Sequence, residues 1–208
     1  YDWAFGQIQY NYMDVDYQAG EAGLRYAADK GVGVVVMEPL KGGKLAANLP
    51  NEILGIFDGS PVKRTPAEWA LRYVWNQPGV SLALSGMSTL EQVEENLAIA
   101  ERGVADSLSA EELAFFVEAR TAMQARTKAD CTACRYCQPC PAGVEIPQVL
   151  ASLNAAAVWD DANQWLSGYT QVKGGASLCT ECGQCEQICP QGLPIREHLR
   201  DAAALFGR

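Results

Sequence analysis

The sequence predicts an α/β fold, a parallel sheet made of about three β/α units, followed by a mainly α-helical, cysteine-rich domain. Three observations lead there. Between residues 7 and 102, strand-like and helix-like patterns alternate three times, an order that gives a parallel sheet with right-handed crossovers. All eight cysteines lie in two runs beyond residue 130. Hydrophobic residues make up 49% of the 208, enough to bury a core without disulfide staples.

The first strand is the opening stretch YDWAFGQIQYNYMD, where Gln7, Gln9 and Asn11 alternate with Ile8, Tyr10 and Tyr12. Nothing precedes it to pack against, so a preceding segment is expected. A helix follows with a small-residue inward face of Ala19, Ala22, Gly23, Tyr26 and Ala27, stopped by Gly31. VGVVVMEPL, residues 32 to 40, is a continuous apolar run and predicts a strand buried on both faces. Thr65-Pro66-Ala67-Glu68 has the spacing of a capping box with proline at the first helical position, and Ala70, Tyr73 and Val74 are its expected inward set. VSLALSG, residues 80 to 86, is the third strand, and its helix opens at Thr89 with Gln92 as box partner. Ser109 and Glu112 open a further helix facing inward through Leu113, Phe116, Val117 and Met123. The expected division is residues 1–106 for the β/α region, 107–128 for a bridging helix and 129–208 for the cysteine domain. In the last of these, Val149, Leu150 and Leu153 carry helical periodicity, and the cysteine motif is the one internal repeat.

Composition excludes some function classes. The net charge of -9, from 25 acidic and 16 basic residues, comes with no basic stripe and argues against nucleic acid as a partner. No apolar run approaches the roughly 20 residues of a membrane span. Clustered cysteines fit thiolate ligation in a reducing compartment, so a cytoplasmic location is expected.

CTACRYCQPCP, residues 131 to 141, and CTECGQCEQICP, residues 179 to 190, are the two cysteine runs. Three-residue spacing does not hold one helical face and lacks strand alternation, so each run reads as a loop wrapped around something. Thiolates suit zinc, iron-sulfur clusters or disulfides. Zinc is usually served by two separated C-x2-C pairs, whereas each run offers C-x2-C-x2-C, three corners of one cubane, and then a cysteine followed by proline. The runs resemble bacterial ferredoxin motifs, in which the fourth cysteine of each run ligates the other run's cluster. The resemblance implies one [4Fe-4S] cluster held by Cys131, Cys134, Cys137 and Cys189, and a second held by Cys179, Cys182, Cys185 and Cys140. The first run has one residue fewer before its fourth cysteine, and the helical insert between the runs points to a largely helical two-cluster domain. A zinc-stabilised interaction domain is the competing metal reading. Gly183 lets backbone approach a cluster or is a turn glycine.

QIQYNYMD, VVVMEPLKGGKLA, EWALRYVW and LSGMSTLEQVEENLAIA, followed by the cysteine domain, resemble the C-terminal part of an aldo-keto reductase fused to a two-cluster ferredoxin-type domain. That family folds as a TIM-type (β/α)8 barrel with its active site at the C-terminal strand ends, and the three units resemble its last three. The resemblance implies a nicotinamide cofactor, NADP or NAD. Gln7 matches a position that bonds the nicotinamide carboxamide. Glu38, Pro39, Leu40 and Gly42 match a loop lining the pyrophosphate. Ser85, Gly86, Met87, Ser88, Gln92, Glu95 and Asn96 match the adenosine-binding loop and helix start. Met37 stands where many relatives stack a tyrosine, and Met87, Ser88 and Gln92 offer no cation for a 2′-phosphate. The plain alternative for each is barrel-loop or helix-cap chemistry.

None of this sequence matches the family's catalytic tyrosine, lysine, aspartate and histidine, which sit on its first four units. His198, the one histidine, falls in a C-terminal helix and reads as a surface residue, while Trp69 and Trp75 read as packing. The implied function is the C-terminal portion of a nicotinamide-dependent oxidoreductase acting on a small carbonyl or alcohol, with two clusters for electron transfer or structural support and an external flavoprotein or ferredoxin as electron partner. The alternative is an iron-sulfur electron-carrier module without substrate turnover.

Overall fold

The computed structural model describes residues 2–207. They form two compact units, one running to Thr121 and the other starting at Ala122. The first unit contains β1 (Phe5–Gln9), α1 (Gly20–Asp29), β2 (Gly33–Met37), α2 (Lys44–Ala47), α3 (Asn51–Asp58), α4 (Pro66–Trp75), β3 (Val80–Ala83) and α5 (Leu90–Glu101), and the boundary falls within α6 (Ala110–Ala125). The strands make one sheet in the order β1-β2-β3, parallel throughout, with Gln7 opposite Val35 and Val36 opposite Ala83.

The apolar run of β2 is buried on one face rather than two. Val34 and Val36 are 1% and 0% exposed, but Val35 and Met37 on the other face are half-buried, beside exposed Phe5 and Leu82. Valine suits either environment, so residue type did not distinguish them. In α1 the expected small-residue face is not the inward one: Gly20 and Leu24 are buried, whereas Tyr26 and Ala22 are exposed. One leucine buries more apolar area than any of the alanines, and the helix turns on it.

Helix starts follow local chemistry. Both bonds of the capping box form at Thr89 with Gln92, and again at Ser109, whose Oγ accepts from the Glu112 amide at 3.1 Å while its own amide donates to Glu112 at 2.8 Å. At Thr65 only half of the box forms. Its Oγ1 accepts from the Glu68 amide at 3.1 Å, but the Glu68 carboxylate stands 3.9 Å from Arg64 and 3.7 Å from Arg102. The expected inward residues Ala70, Tyr73 and Val74 are buried. Phe116 is the hub of an aromatic core, with its ring 4.8 Å from Tyr73, 5.4 Å from Tyr12, 5.5 Å from Phe57 and 5.7 Å from Trp69. Leu113 is half-buried, and Val117 faces solvent instead of the core.

The second unit is mainly helical, with α7 (Ile146–Trp159), α8 (Ala162–Tyr169), a 3-10 turn (Ala176–Leu178), α9 (Gln184–Gln187) and α10 (Ile195–Phe206). Val149, Leu150 and Leu153 of α7 pack with Ile195, Leu199, Ala202 and Phe206 of α10, as the helical periodicity predicted. Tyr169 stacks on Phe206 at 4.4 Å and donates no room to water, being 1% exposed. Gly174 explains the Gly-Gly break: a Cβ there would fall 1.9 Å from the Gly143 carbonyl oxygen, and its own carbonyl accepts from the Glu145 amide at 2.9 Å.

The internal repeat is longer than the cysteine motif. Cys140-Pro141-Ala142-Gly143-Val144-Glu145-Ile146 and Cys189-Pro190-Gln191-Gly192-Leu193-Pro194-Ile195 both follow their run into a helix. Gly143 and Gly192 take φ of 76° and 62°, and each amide bonds back to the carbonyl of its cysteine, at 2.9 Å and 3.1 Å. Positive φ is open to glycine at little cost, so the same turn is built twice. Ile146 and Ile195, then Leu150 and Leu199, occupy equivalent buried places. Among the described residues no helix is long and apolar enough to cross a membrane.

Candidate functional site

In the second unit the two cysteine runs are loops that share one backbone recipe. Ala133 and Arg135 have φ of 54° and 65°, and their counterparts Glu181 and Gly183 have 57° and 76°. Left-handed residues at these places turn backbone amides inward, and the amides of Ala133 and Glu181 donate to the Sγ of Cys131 and Cys179, each at 3.4 Å. Such donors are among the groups that tune a thiolate-bound metal centre.

The two runs cross. One hollow is walled by Cys131, Cys134 and Cys137 of the first run together with Cys189 of the second, closed by Ile146, Leu150, Leu193 and Ile195. The other is walled by Cys179, Cys182 and Cys185 of the second run together with Cys140 of the first, and Cys137 borders both hollows. Burial pushes the Cys137 thiol up in pKa, and the neighbouring thiols of Cys131, Cys134 and Cys189 push the same way. Burial likewise raises Cys185, with the Glu186 carboxylate adding to it. Low-dielectric surroundings penalise a bare thiolate, and a bound cation relieves that penalty. The donor chemistry therefore fits iron-sulfur clusters: soft sulfur ligands from both runs border each hollow, with Ile146 behind both. Among the described residues no three His, Cys, Asp or Glu side chains close on one point as a single ion requires; the thiols ring hollows instead.

In the first unit a cleft of about 730 Å³ opens at the C-terminal ends of β2 and β3. Its wall includes Glu38, Pro39, Leu40 and Gly42 from the loop after β2, and Ser85, Gly86, Met87, Ser88, Gln92, Glu95 and Asn96 after β3. Gln7 is not brought into it and stands exposed on β1. Met37 is half-buried at the end of β2. Several cleft residues also hold the local structure. Gln92 Oε1 accepts from the Ser88 amide at 2.7 Å, Asn96 donates to Ser85 Oγ at 3.1 Å, and Thr65 Oγ1 donates to Glu95 at 2.7 Å.

The loop after β2 is pinned from below by residues that sequence reasoning missed. Glu38, Lys41, Gly42 and Gly43 all have positive φ, and Asn11, fully buried, donates to the Glu38 carbonyl oxygen at 2.9 Å. Asn11 Oδ1 accepts from the amides of Met13 and Asp14 at 2.9 and 3.0 Å. Asp14 accepts from Lys41 at 2.6 and 2.7 Å, from Gln9 at 2.9 Å and from Asn11 at 3.0 Å. Burial alone would raise the Asp14 pKa, but these bonds and the Lys41 charge overcome it and hold the carboxyl below its ordinary value. The alternating pattern placed Asn11 on the polar side of a strand. A signal lay in the left-handed loop it serves, which needed a buried donor, but only the fold shows the two are adjacent.

His198 is half-buried, with its Nδ1 enclosed. Trp69 is packing, stacked on Phe57 at 5.3 Å, and Trp3 is exposed.

Comparison with known proteins agrees with this two-part reading. Residues 130–193, which contain all eight cysteines, match the 4Fe-4S dicluster domain. Residues 59–116 match the aldo/keto reductase family. No curated protein matches the chain. The holo form of an aldo-keto reductase from Bacillus halodurans aligns at 26% identity over 54% of this chain and 41% of its own, with a TM-score of 0.43. Its apo form aligns at 26% identity over 54% and 42%, with the same TM-score of 0.43. The chain thus spans about two fifths of the length of these relatives. The chain joins an aldo/keto-reductase-like segment to a 4Fe-4S dicluster domain.

Proposed function

We propose that the chain is the C-terminal portion of a nicotinamide-dependent aldo-keto oxidoreductase that carries two [4Fe-4S] clusters. The observation that carries the iron-sulfur half is the crossing of the two runs, since each hollow draws thiols from both. Cys131, Cys134, Cys137 and Cys189 would hold one cluster, and Cys179, Cys182, Cys185 and Cys140 the other, each accepting or giving one electron when bound.

The cleft supports the nicotinamide half, because eleven of the twelve motif residues line it. Glu38 to Gly42 and Ser85 to Ser88 offer backbone from two loops at strand ends, and Ser88 leads directly into α5, the kind of helix start that suits an anionic group. NADP or NAD would lie there, delivering hydride to a small carbonyl or receiving it from an alcohol. The three β/α units would belong to a TIM-type barrel whose remaining units supply the proton-transfer groups. Hydride carries two electrons and a cubane passes one, so an external flavoprotein would be the partner that splits the pair, while an external ferredoxin would exchange single electrons with the clusters; without such a partner the clusters would serve as structural support.

A second reading is an electron carrier without turnover, resting on the 4Fe-4S dicluster domain alone. Titration of the anaerobic chain with NADPH and NADH, followed by nicotinamide fluorescence, separates the two readings. Saturable binding that weakens on replacing Ser88 and Gln92 supports the oxidoreductase; absence of binding with intact iron-sulfur absorption leaves the carrier.

A further inference from the structure

The cleft of the first unit carries charge of one sign. Glu38 and Glu95 are the ionisable side chains in its wall, one on each side: Glu38 follows β2, and Glu95 lies on α5. That helix bears four glutamates, Glu91, Glu94, Glu95 and Glu101, and no basic residue between Leu90 and Glu101. Glu95 is fixed in place. Thr65 Oγ1, at the start of α4, donates to its Oε1 at 2.7 Å, while the neighbouring wall residues Gln92 and Asn96 are held by Ser88 and Ser85. A carboxylate accepts at about four sites, so the Thr65 bond orients Glu95 without exhausting it.

Cations close to the wall in sequence are engaged away from it. Arg64, one residue before Thr65, is 8% exposed, ion-paired with Glu112 at 2.5 Å and stacked 4.4 Å over the Trp69 ring. Lys41 is bound to Asp14, and Lys63 donates to the Asp58 carbonyl oxygen. Lys44 stands outside the wall, with its pKa lowered by burial and by the charge of Lys41. At the start of α5, the Ser88 amide donates to Gln92 Oε1 at 2.7 Å and the Gln92 amide to Thr89 Oγ1 at 3.3 Å. The capping box thus leaves this helix start short of donors for a second anionic group beside a pyrophosphate.

Resting on the nicotinamide reading above, we propose that the cleft selects NAD(H) over NADP(H), with Glu95 as the discriminating residue. A 2′-phosphate brings about two negative charges, and the carboxylates on α5 repel it. The 2′-hydroxyl that stands there in NAD(H) is neutral and a donor, which a fixed carboxylate accepts. Glu95 is exposed, so water moderates both effects and sets their size. The chain therefore draws its reducing equivalents from the dinucleotide that lacks the extra phosphate.

Titration of the anaerobic chain with NADH and with NADPH, read as dissociation constants by nicotinamide fluorescence, tests this. Wild type is expected to bind NADH about tenfold more tightly, by a ratio that narrows as sodium chloride screens the carboxylates. Glu95→Gln, which keeps an acceptor for Thr65, strengthens NADPH binding and weakens NADH binding, and Glu95→Lys reverses the order of the two. Equal constants or tighter NADPH binding in wild type overturns the proposal, as does a ratio that Glu95→Gln leaves unchanged. Failure of both dinucleotides to bind overturns the nicotinamide reading beneath it instead, and this inference with it.

Discussion

Asn11 donates through Nδ2 to the carbonyl oxygen of Glu38 at 2.9 Å, joining the end of β1 to the left-handed loop that follows β2. One buried amide thereby fixes a segment of the cleft wall from below. Asn11→Ala leaves the Glu38 carbonyl and the Asp14 carboxylate each short of a donor. An unsatisfied buried polar group costs about 1–3 kcal/mol, so urea denaturation of the first unit should shift by that order. Nucleotide affinity should fall with it, because the loop loses its anchor.

Acid should weaken the first unit through Asp14 and Glu112. Burial opposes ionisation of both, but bonds from Lys41, Asn11 and Gln9 to Asp14, and from Ser109 and Arg64 to Glu112, hold their pKa values below the ordinary carboxylate range. A depressed folded-state pKa contributes stability above the unfolded value, roughly 4, and loses it as pH falls through the folded value. Circular dichroism melts from pH 7 to pH 2 should show a steep loss below about pH 4, and Asp14→Asn should flatten that limb.

Gly174 has no room for a methyl group against the Gly143 carbonyl. Gly174→Ala should push the Cys140-to-Ile146 segment away from the helical core and lower iron loading of the second-run site before it lowers helix content. Iron analysis beside far-ultraviolet circular dichroism measures both.

Crossing of the runs makes a further difference testable. Cys189→Ser should alter the signal of the first-run site and Cys140→Ser that of the second-run site, each opposite to its place in sequence. Resonance signals that follow sequence position would reject the interlock.

Local chemistry was the most legible part of this chain. Capping at Thr89 and Ser109 depends on residues three apart, and both boxes form as read. Cysteine spacing announced the metal domain because few other needs gather thiols so closely. Choices made by tertiary packing were less visible. The inward face of α1 went to Leu24 rather than to the small residues, and Val117 turned outward while Phe116 entered the aromatic core. Asn11 looked like a solvent-side residue because alternation cannot anticipate a buried polar group whose partners lie in the next strand's loop. The repeat from Pro141 and Pro190 into α7 and α10 stayed hidden since its halves share little beyond proline, glycine and isoleucine at matched places.

Quantifying metal and acid-labile sulfide in the anaerobically purified chain is the most direct check that two sulfur-ringed hollows each accept a cubane. About eight iron and about eight sulfide per chain are predicted. Zinc without labile sulfide, or iron in an amount that fills one hollow only after full reconstitution, would contradict it.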